Sequence, residues 1–280
     1  MGSRISIVTP SYNQGRYLEE ALRSIVSQRE DVHEFFVYDG GSTDNSVDII
    51  KKYESQIDYW VSEKDKGQAD VLKRGFARAT GDILFWLNSD DVLLPGVLRK
   101  VREAFDQHPD WAALTGWQFF IDSESRIVRY FRMPPEKENW LRWGVLHVSQ
   151  QTCFFKKSVY DQVGGVNPDL HCVMDSDLWI RMLKTGAPWG GIPAYMAGFR
   201  QHGDAKGHPT GKWAERYRQE TLDLLSRSPE YFNPVKLKMG TMAHRIAMTL
   251  SGRYIFAALD TRRSGGKRWD EIFPPAPVQG

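Results

Sequence analysis

Short apolar runs alternate along the first 110 positions with segments in which apolar residues return every three or four places. "RISIVTP" (4–10) reads as a buried strand stopped by Pro10. "GRYLEEALRSIVSQ" (15–28) carries Leu18, Leu22, Ile25 and Val26 at helical spacing. "EFFVYDGG" (34–41) is a second apolar strand ending in an acid and glycines. "STDNSVDIIKKY" (42–53) opens with residues suited to a helix cap and continues as a helix. "IDYWVSE" (57–63) is a third strand, and "QADVLKRGFARAT" (68–80) a helix with Val71, Leu72, Gly75, Phe76 and Ala79 on one side. "DILFWL" (82–87) is a fourth strand, and "PGVLRKVREAFDQH" (95–108) a helix with Pro95 near its first turn. Four strand–helix alternations in about 110 residues predict βαβ units and a mostly parallel sheet.

The pattern then changes. "WAALTGWQFFID" (111–122) and "RIVRYFRM" (126–133) read as strands joined by a polar turn, so the sheet is expected to become mixed. "PPEKEN" (134–139) is a loop. "QQTCFFKKSVYDQVGG" (150–165) reads as strand, short helix and glycine stop. "DSDLWIRMLKTG" (175–186) is a capped helix ending at Gly186, and 189–207 is strand-like and then a polar loop. Beyond about residue 210 the chain reads as helices, and the tail from Gly265 as loose. The expected division is an α/β domain over 1–210, with halves over 1–110 and 111–210, and a helical extension over 211–280.

In parallel sheets ligands lie outside the carboxyl ends of the strands. The polar residues of this chain fall there: Ser11 to Asn13 after the first strand, Asp39 after the second, Glu63 and Asp65 after the third, Asp90 and Asp91 after the fourth. Two adjacent carboxylates at the end of the apolar run Ile83–Leu87 are costly to bury unless they are paired or bind a cation.

Bulk composition narrows the class. Hydrophobic content of 41% and charged content of 26% fit a globular core. A net charge of +2 lacks the strong basic stripe of a dedicated duplex-DNA binder, so no nucleic-acid partner is expected. Two cysteines, Cys153 and Cys172, show no metal-type spacing and fit a reduced, cytoplasmic setting. No run of about 18 apolar residues occurs, so no spanning helix is expected. "MGSRIS" formally fits a myristoylation pattern, but Ile5 already begins a core strand.

Four segments carry a resemblance. "ISIVTPSYNQGRYLEEALRSIVSQ", "YDGGSTDNSVDII", "SEKDKGQADVLKRGFARATGDILFWLNSDD" and "GGVNPDLHCVMDSDLWIRML" are similar, in this order, to the glycosyltransferase family 2 enzymes with the GT-A fold. The resemblance covers roughly residues 4–202. It implies an α/β fold with a Rossmann-like, mostly parallel but mixed sheet flanked by helices. It implies transfer of a sugar, with inversion, from a nucleoside diphosphate donor to a hydroxyl of a glycan or lipid-linked acceptor.

The resemblance also distributes roles. A divalent cation, Mn²⁺ or Mg²⁺, is expected to neutralise the departing diphosphate. Asp91 of "SDD" matches the metal ligand, with His202 of "FRQHGD" as a second; Ser89 and Asp90 are expected to face the donor. Asp91 or Asp90 could instead cap the helix near Pro95. Asp39 matches the acid that accepts a hydrogen bond from the base, which favours UDP; the family's second acid at this place is Gly40 here. Tyr12, after Pro10, is expected to pack on the base. Asp65, Gly67 and Gln68 of "DKGQAD" are expected to line the nucleotide and sugar. Asp175 matches the general base, with Met174 in place of a preceding acid; Asp177 is instead spaced to pair with Arg181 at i, i+4. His147, His171 and His208 have weaker claims. Trp143, Gln150, Gln151, Trp179 and Trp189 are candidates for the acceptor side.

Two alternatives belong to other classes: an inactive sugar-nucleotide or glycan-binding module, and a nucleotidyltransferase. The latter needs a glycine-rich basic loop after the first strand, and "TPSYNQGR" is poor in both features. The C-terminal helices interleave Lys and Arg with Met, Ile, Leu and Phe, a composition that fits peripheral contact with the inner face of a membrane, a helical cap on the catalytic domain, or a homo-oligomer contact.

Overall fold

A computed structural model describes residues 2–133, 140, 143–146, 148–203, 205–206 and 210–277. The loop expected over 134–139, and His147 and His208, lie outside the described residues. The first four strands are β1 (Ile5–Ser11), β2 (Glu34–Asp39), β3 (Tyr59–Ser62) and β4 (Ile83–Trp86), with α1 (Gly15–Val26), α2 (Ser46–Lys52) and α3 (Gln68–Arg78) between them. A two-residue strand β5 (Val92–Leu93) precedes α4 (Val97–Gln107). There follow β6 (Ala113–Ile121), β7 (Ile127–Phe131), β8 (Phe154–Lys156), α5 (Lys157–Gln162), α6 (Met174–Lys184) and β9 (Trp189–Arg200). Helices α7 (Ala214–Ser226), α8 (Pro234–Leu250), α9 (Arg253–Ser264) and α10 (Trp269–Ile272) complete the chain.

The nine strands among the described residues join one sheet, in the order β3-β2-β1-β4-β8-β6-β9-β5, with β7 paired to β6. Strands β3, β2, β1 and β4 are mutually parallel, as the βαβ pattern requires. The sheet then turns mixed, because β8 runs antiparallel to both β4 and β6, while β9 runs parallel to β6. The turn between β6 and β7 makes the expected hairpin.

Strand alternation divides the core into two layers. Ile5, Ile7, Ile83 and Phe85 join one apolar cluster with residues of α1, α2 and α4; Val8, Leu84 and Trp86 join another with residues of α3 and α6. Both faces of the central strands are therefore covered, which is why they read as continuous apolar runs. Asp44 explains where two helices start. Its carboxylate accepts from the backbone N of Ser46 at 3.0 Å and of Gly15 at 2.8 Å, so one side chain fixes the first turns of α2 and α1 together. Pro95 stands before α4 and outside its first turn, since Gly96 at φ 72° makes the bend into the helix.

The tail is docked where the sequence reads as loose. Trp269 is fully buried in the same cluster as Ile5 and Phe85. Its backbone N donates to Ser125 O at 3.0 Å and its indole Nε1 to Glu20 Oε2 at 3.1 Å. The local pattern of α10 is only four residues long, and a single tryptophan anchors it by tertiary contact. Helix α9 packs on β7, with Thr261 Oγ1 accepting from Tyr130 N at 3.1 Å. No helix among the described residues is long and apolar enough to cross a membrane.

Candidate active site

A cavity of about 870 Å³ opens over the carboxyl ends of β1 and β4 and the start of α6. That volume is in the range of small-molecule sites. Pro10, Tyr12, Asp65, Gly67, Gln68, Ser89, Asp90, Asp175 and His202 all line it, although they span about 190 positions of sequence. Asp39 and Asp91 do not.

The two carboxylates after β4 point to different environments. Asp90 lines the cavity, and its Oδ2 lies 3.0 Å from His202 Nε2. Asp91 is fully buried beneath it. There its Oδ1 accepts from Arg200 N at 2.9 Å and its Oδ2 from Asn88 Nδ2 at 3.4 Å. Burial, followed by the nearby charge of Asp90, raises the Asp91 carboxyl well above the ordinary aspartate range. The structure thus puts Asp90, and not the expected Asp91, on the cavity wall. Asp90 is the carboxylate a cation in the cavity would meet, and Asp91 ties the end of β9 to the turn after β4. Asp90 and His202 supply one oxygen and one nitrogen donor, and no group of three or more acidic, His or Cys side chains clusters for a metal among the described residues. Such a pair fits a cation that takes its other ligands from a diphosphate and water.

Asp39, at the end of β2, is also sealed off, 1% exposed. It accepts from Ser42 N at 2.8 Å and from Ser62 Oγ at 2.7 Å, and so holds the loop after β2 against β3. The acid that does face this end of the cavity is Asp65, from the loop after β3. A side chain at Gly40 would put its Cβ 2.8 Å from Asp65 Oδ2 and 3.2 Å from the Tyr12 ring. Asp65 therefore fills the space beside Asp39 that Gly40 leaves. Its Oδ1 accepts from Gly67 N at 2.7 Å, and Gly67 adopts φ 109° to launch α3 from the cavity wall.

A line of polar groups crosses the floor. Lys206 Nζ donates to Gln68 Oε1 at 3.0 Å and to His171 O at 3.2 Å. Gln68 Nε2 donates to Asn88 Oδ1 at 2.6 Å, Asn88 Nδ2 to Gln150 Oε1 at 3.0 Å, and Gln150 Nε2 to Trp86 O at 2.6 Å. Among the described residues Lys206 has no carboxylate in ion-pair contact, and burial pulls its pKa down. His171 is held neutral, at about 4, by burial and by the charges of Lys206 and Arg216. Lys206 is a functional candidate that sequence reading misses: a single lysine in a polar loop carries no spacing signal.

Asp175 stands at the first turn of α6. Burial raises its pKa, against a hydrogen bond of 2.7 Å from Ser176 N. Asp177 is buried on the helix and pairs with Arg181 at 2.6 Å, the structural role its spacing predicts. Of the acceptor-side candidates, Gln150 and Gln151 line the cavity, whereas Trp179 and Trp189 lie in the core and Trp143 is on the surface. The aromatic residues that do line it include Trp213 and Tyr217, from the segment after residue 210. Neither has a signal in the sequence beyond its type.

Comparison with known proteins bears on the family and the fold. The family model described as Glycosyl transferase family 2 matches residues 6–164. An uncharacterised glycosyltransferase of a Nostoc species is 28% identical over 255 residues, covering 85% of this chain and 77% of the relative. The putative teichuronic acid biosynthesis glycosyltransferase TuaG of Bacillus subtilis is 25% identical over 200 residues, covering 70% of this chain and 78% of the relative. Among solved structures, the mannosyltransferase PcManGT of Pyrobaculum calidifontis, in complex with GDP-Man and Mn²⁺, superposes with a TM-score of 0.59 at 18% identity, over 94% of this chain and 80% of that one. A sheet of GT-A type, a cavity at its carboxyl edge and a family match over more than half of the chain lead to one assignment: the protein belongs to glycosyl transferase family 2.

Proposed function

We propose that the protein moves a sugar, with inversion, from a nucleoside diphosphate donor to a hydroxyl of a glycan or lipid-linked saccharide. The observation that carries this reading is the convergence of Asp90, His202, Lys206 and Asp175 on one cavity. Three of these suit an anionic leaving group, and the fourth suits proton removal.

Asp90 and His202 are the residues that would hold a divalent cation, Mn²⁺ or Mg²⁺, which when bound supplies Lewis-acid stabilisation of the leaving diphosphate. Lys206 adds a fixed positive charge beside Gln68, where a phosphate would replace hydration of its ammonium. Asp65 and Tyr12 form the base and ribose end, with Asp39 holding the Ser42 loop behind them. Asp175 takes the proton of the acceptor hydroxyl as its oxygen attacks the anomeric carbon; its raised pKa makes it a stronger base than an ordinary aspartate. Trp213 and Tyr217 offer aromatic faces to sugar rings on the acceptor side. UDP is the first donor to test, since one carboxylate beside a stacking ring suits a pyrimidine imide. A structure of Staphylococcus aureus TarS with UDP-GlcNAc shares the fold, with a TM-score of 0.57 at 15% identity.

The test is hydrolysis and binding of UDP-, dTDP- and GDP-sugars with and without Mn²⁺. We expect cation-dependent turnover of one nucleotide class, UDP first. Absence of both binding and turnover for every donor would overturn the reading.

A further inference from the structure

Helix α8 buries one side and leaves the opposite side apolar and open. Gly240, His244 and Met248 are the buried residues. Gly240 packs so closely that a Cβ there would lie 2.1 Å from Trp143 O and 2.9 Å from Val145 Cγ2. Val235, Met239, Met242, Ile246 and Leu250 follow one another at three- and four-residue steps, which places them on one stripe of an α-helix opposite the buried side. They are 67%, 47%, 60%, 52% and 83% exposed. At the same spacing Lys236 flanks the stripe on one edge and Lys238 and Arg245 on the other. Ile255 and Leu259 of α9 add further exposed apolar surface, 63% and 42% exposed.

The charge around the stripe is of one sign. No acidic residue occurs between Glu230 and Asp260, and Asp260 is spent on Arg132 at 2.7 Å. Neither Lys238 nor Arg245 has an ion-pair partner among the described residues. A second copy of the chain meeting this face about a two-fold axis would bring cations against cations around an apolar centre. An anionic lipid surface meets both features, since its acyl boundary takes the apolar stripe and its headgroups take the flanking lysines and arginine.

We propose that α8, with the adjoining face of α9, docks the protein peripherally on an anionic bilayer, lying in the plane of the headgroups. The helix length of about 25 Å, from 1.5 Å per residue, gives a contact of several side chains rather than a single anchor. Through Gly240 the docked helix rests on Trp143 and Val145, and the same segment continues to Val148, Gln150 and Gln151 on the cavity wall. The membrane side of the molecule is then also the acceptor side, which suits a saccharide carried on a lipid.

Co-sedimentation of the full chain with phosphatidylcholine vesicles, with and without phosphatidylglycerol, tests this. We expect at least about a tenfold preference for the phosphatidylglycerol vesicles at low salt, lost at high salt. The double variant M242E/I246E should lower that partition at least about tenfold while keeping the melting temperature and donor hydrolysis of the parent, because both side chains point away from the fold. Equal sedimentation with both vesicle types, or unchanged binding by the variant, would overturn the proposal. So would absence of vesicle binding together with a dimer in analytical ultracentrifugation that the variant dissolves, since a second copy would then cover the stripe. Donor hydrolysis in the same samples is independent of these outcomes and reports on sugar transfer separately.

Discussion

Among single residues, Asp175 has the sharpest consequence. An Asp175→Asn variant should lose about 10²- to 10⁴-fold in kcat, the usual size of a general-base contribution, with donor affinity within a few-fold of the parent. Stopped transfer assays and calorimetry separate the two quantities. Because burial raises the Asp175 pKa, this carboxylate becomes protonated earlier on acidification. The acid limb of kcat/KM should therefore lie above the ordinary aspartate value of about 3.9, and should vanish in the asparagine variant. Lys206→Ala should weaken nucleoside diphosphate binding by about tenfold, the loss of one charge-assisted contact, with the deficit shrinking as salt rises. Titration of UDP measures this directly. That Asp175 rather than Asp177 lines the cavity is legible in the sequence, because Asp177 is claimed by Arg181 at helical spacing. The division between Asp90 and Asp91 is not legible. Adjacent carboxylates on a tight turn face opposite ways, and only the arrival of Arg200 from 109 positions later in the chain decides which one is buried.

At the level of elements, two glycines place α3 and α8. Gly67 sits at φ 109°, a region that a side chain strains, and it starts α3 where the cavity wall begins. Gly67→Ala is expected to cost about 1 to 3 kcal/mol of stability and to weaken donor binding, read by denaturant melts and donor titration. Gly240→Ala places a Cβ against the Trp143 carbonyl and should loosen α8 selectively. Faster amide exchange in α8 than in β1 would show it. The first four strands are readable from periodicity because they are buried on both faces. Strand β5 is not, since two residues have no period and Val92 and Leu93 become a strand only by pairing with Gly198 and Ala197. Helix α10 escapes for the same reason.

At the scale of the whole molecule, Glu20 gathers distant parts. It accepts from Ser125 in the β6–β7 turn, from Trp269 Nε1 and Arg268 in the tail, and pairs with Arg200 Nη2 at 2.8 Å at the end of β9. Burial pushes the Glu20 pKa up, but these hydrogen bonds and the charge of Arg200 prevail and hold it at about 2. A carboxyl lowered on folding contributes stability in full above its unfolded value, near 4.5, and loses it as pH falls towards about 2. The shift corresponds to roughly 3 kcal/mol. Glu20→Gln should lower stability at neutral pH by an amount of that order, and should flatten the acid dependence between those two values. Urea melts across that window measure both effects.

Arg200 gives this junction a consequence in time. Its guanidinium is fully buried between Glu20, Ser125 and the carbonyls of Asp90 and Asp122, while its backbone N holds Asp91. The turn that presents Asp90 is thus bolted to a junction whose last pieces, Arg268 and Trp269, leave the ribosome some 180 residues after it. With synthesis at about 5 to 20 residues per second, the β1–β4 half waits many seconds for its final clamp. Nascent chains stalled before Trp269 should hold the parallel strands yet fail to retain a nucleotide sugar, which chains extended past Trp269 should bind.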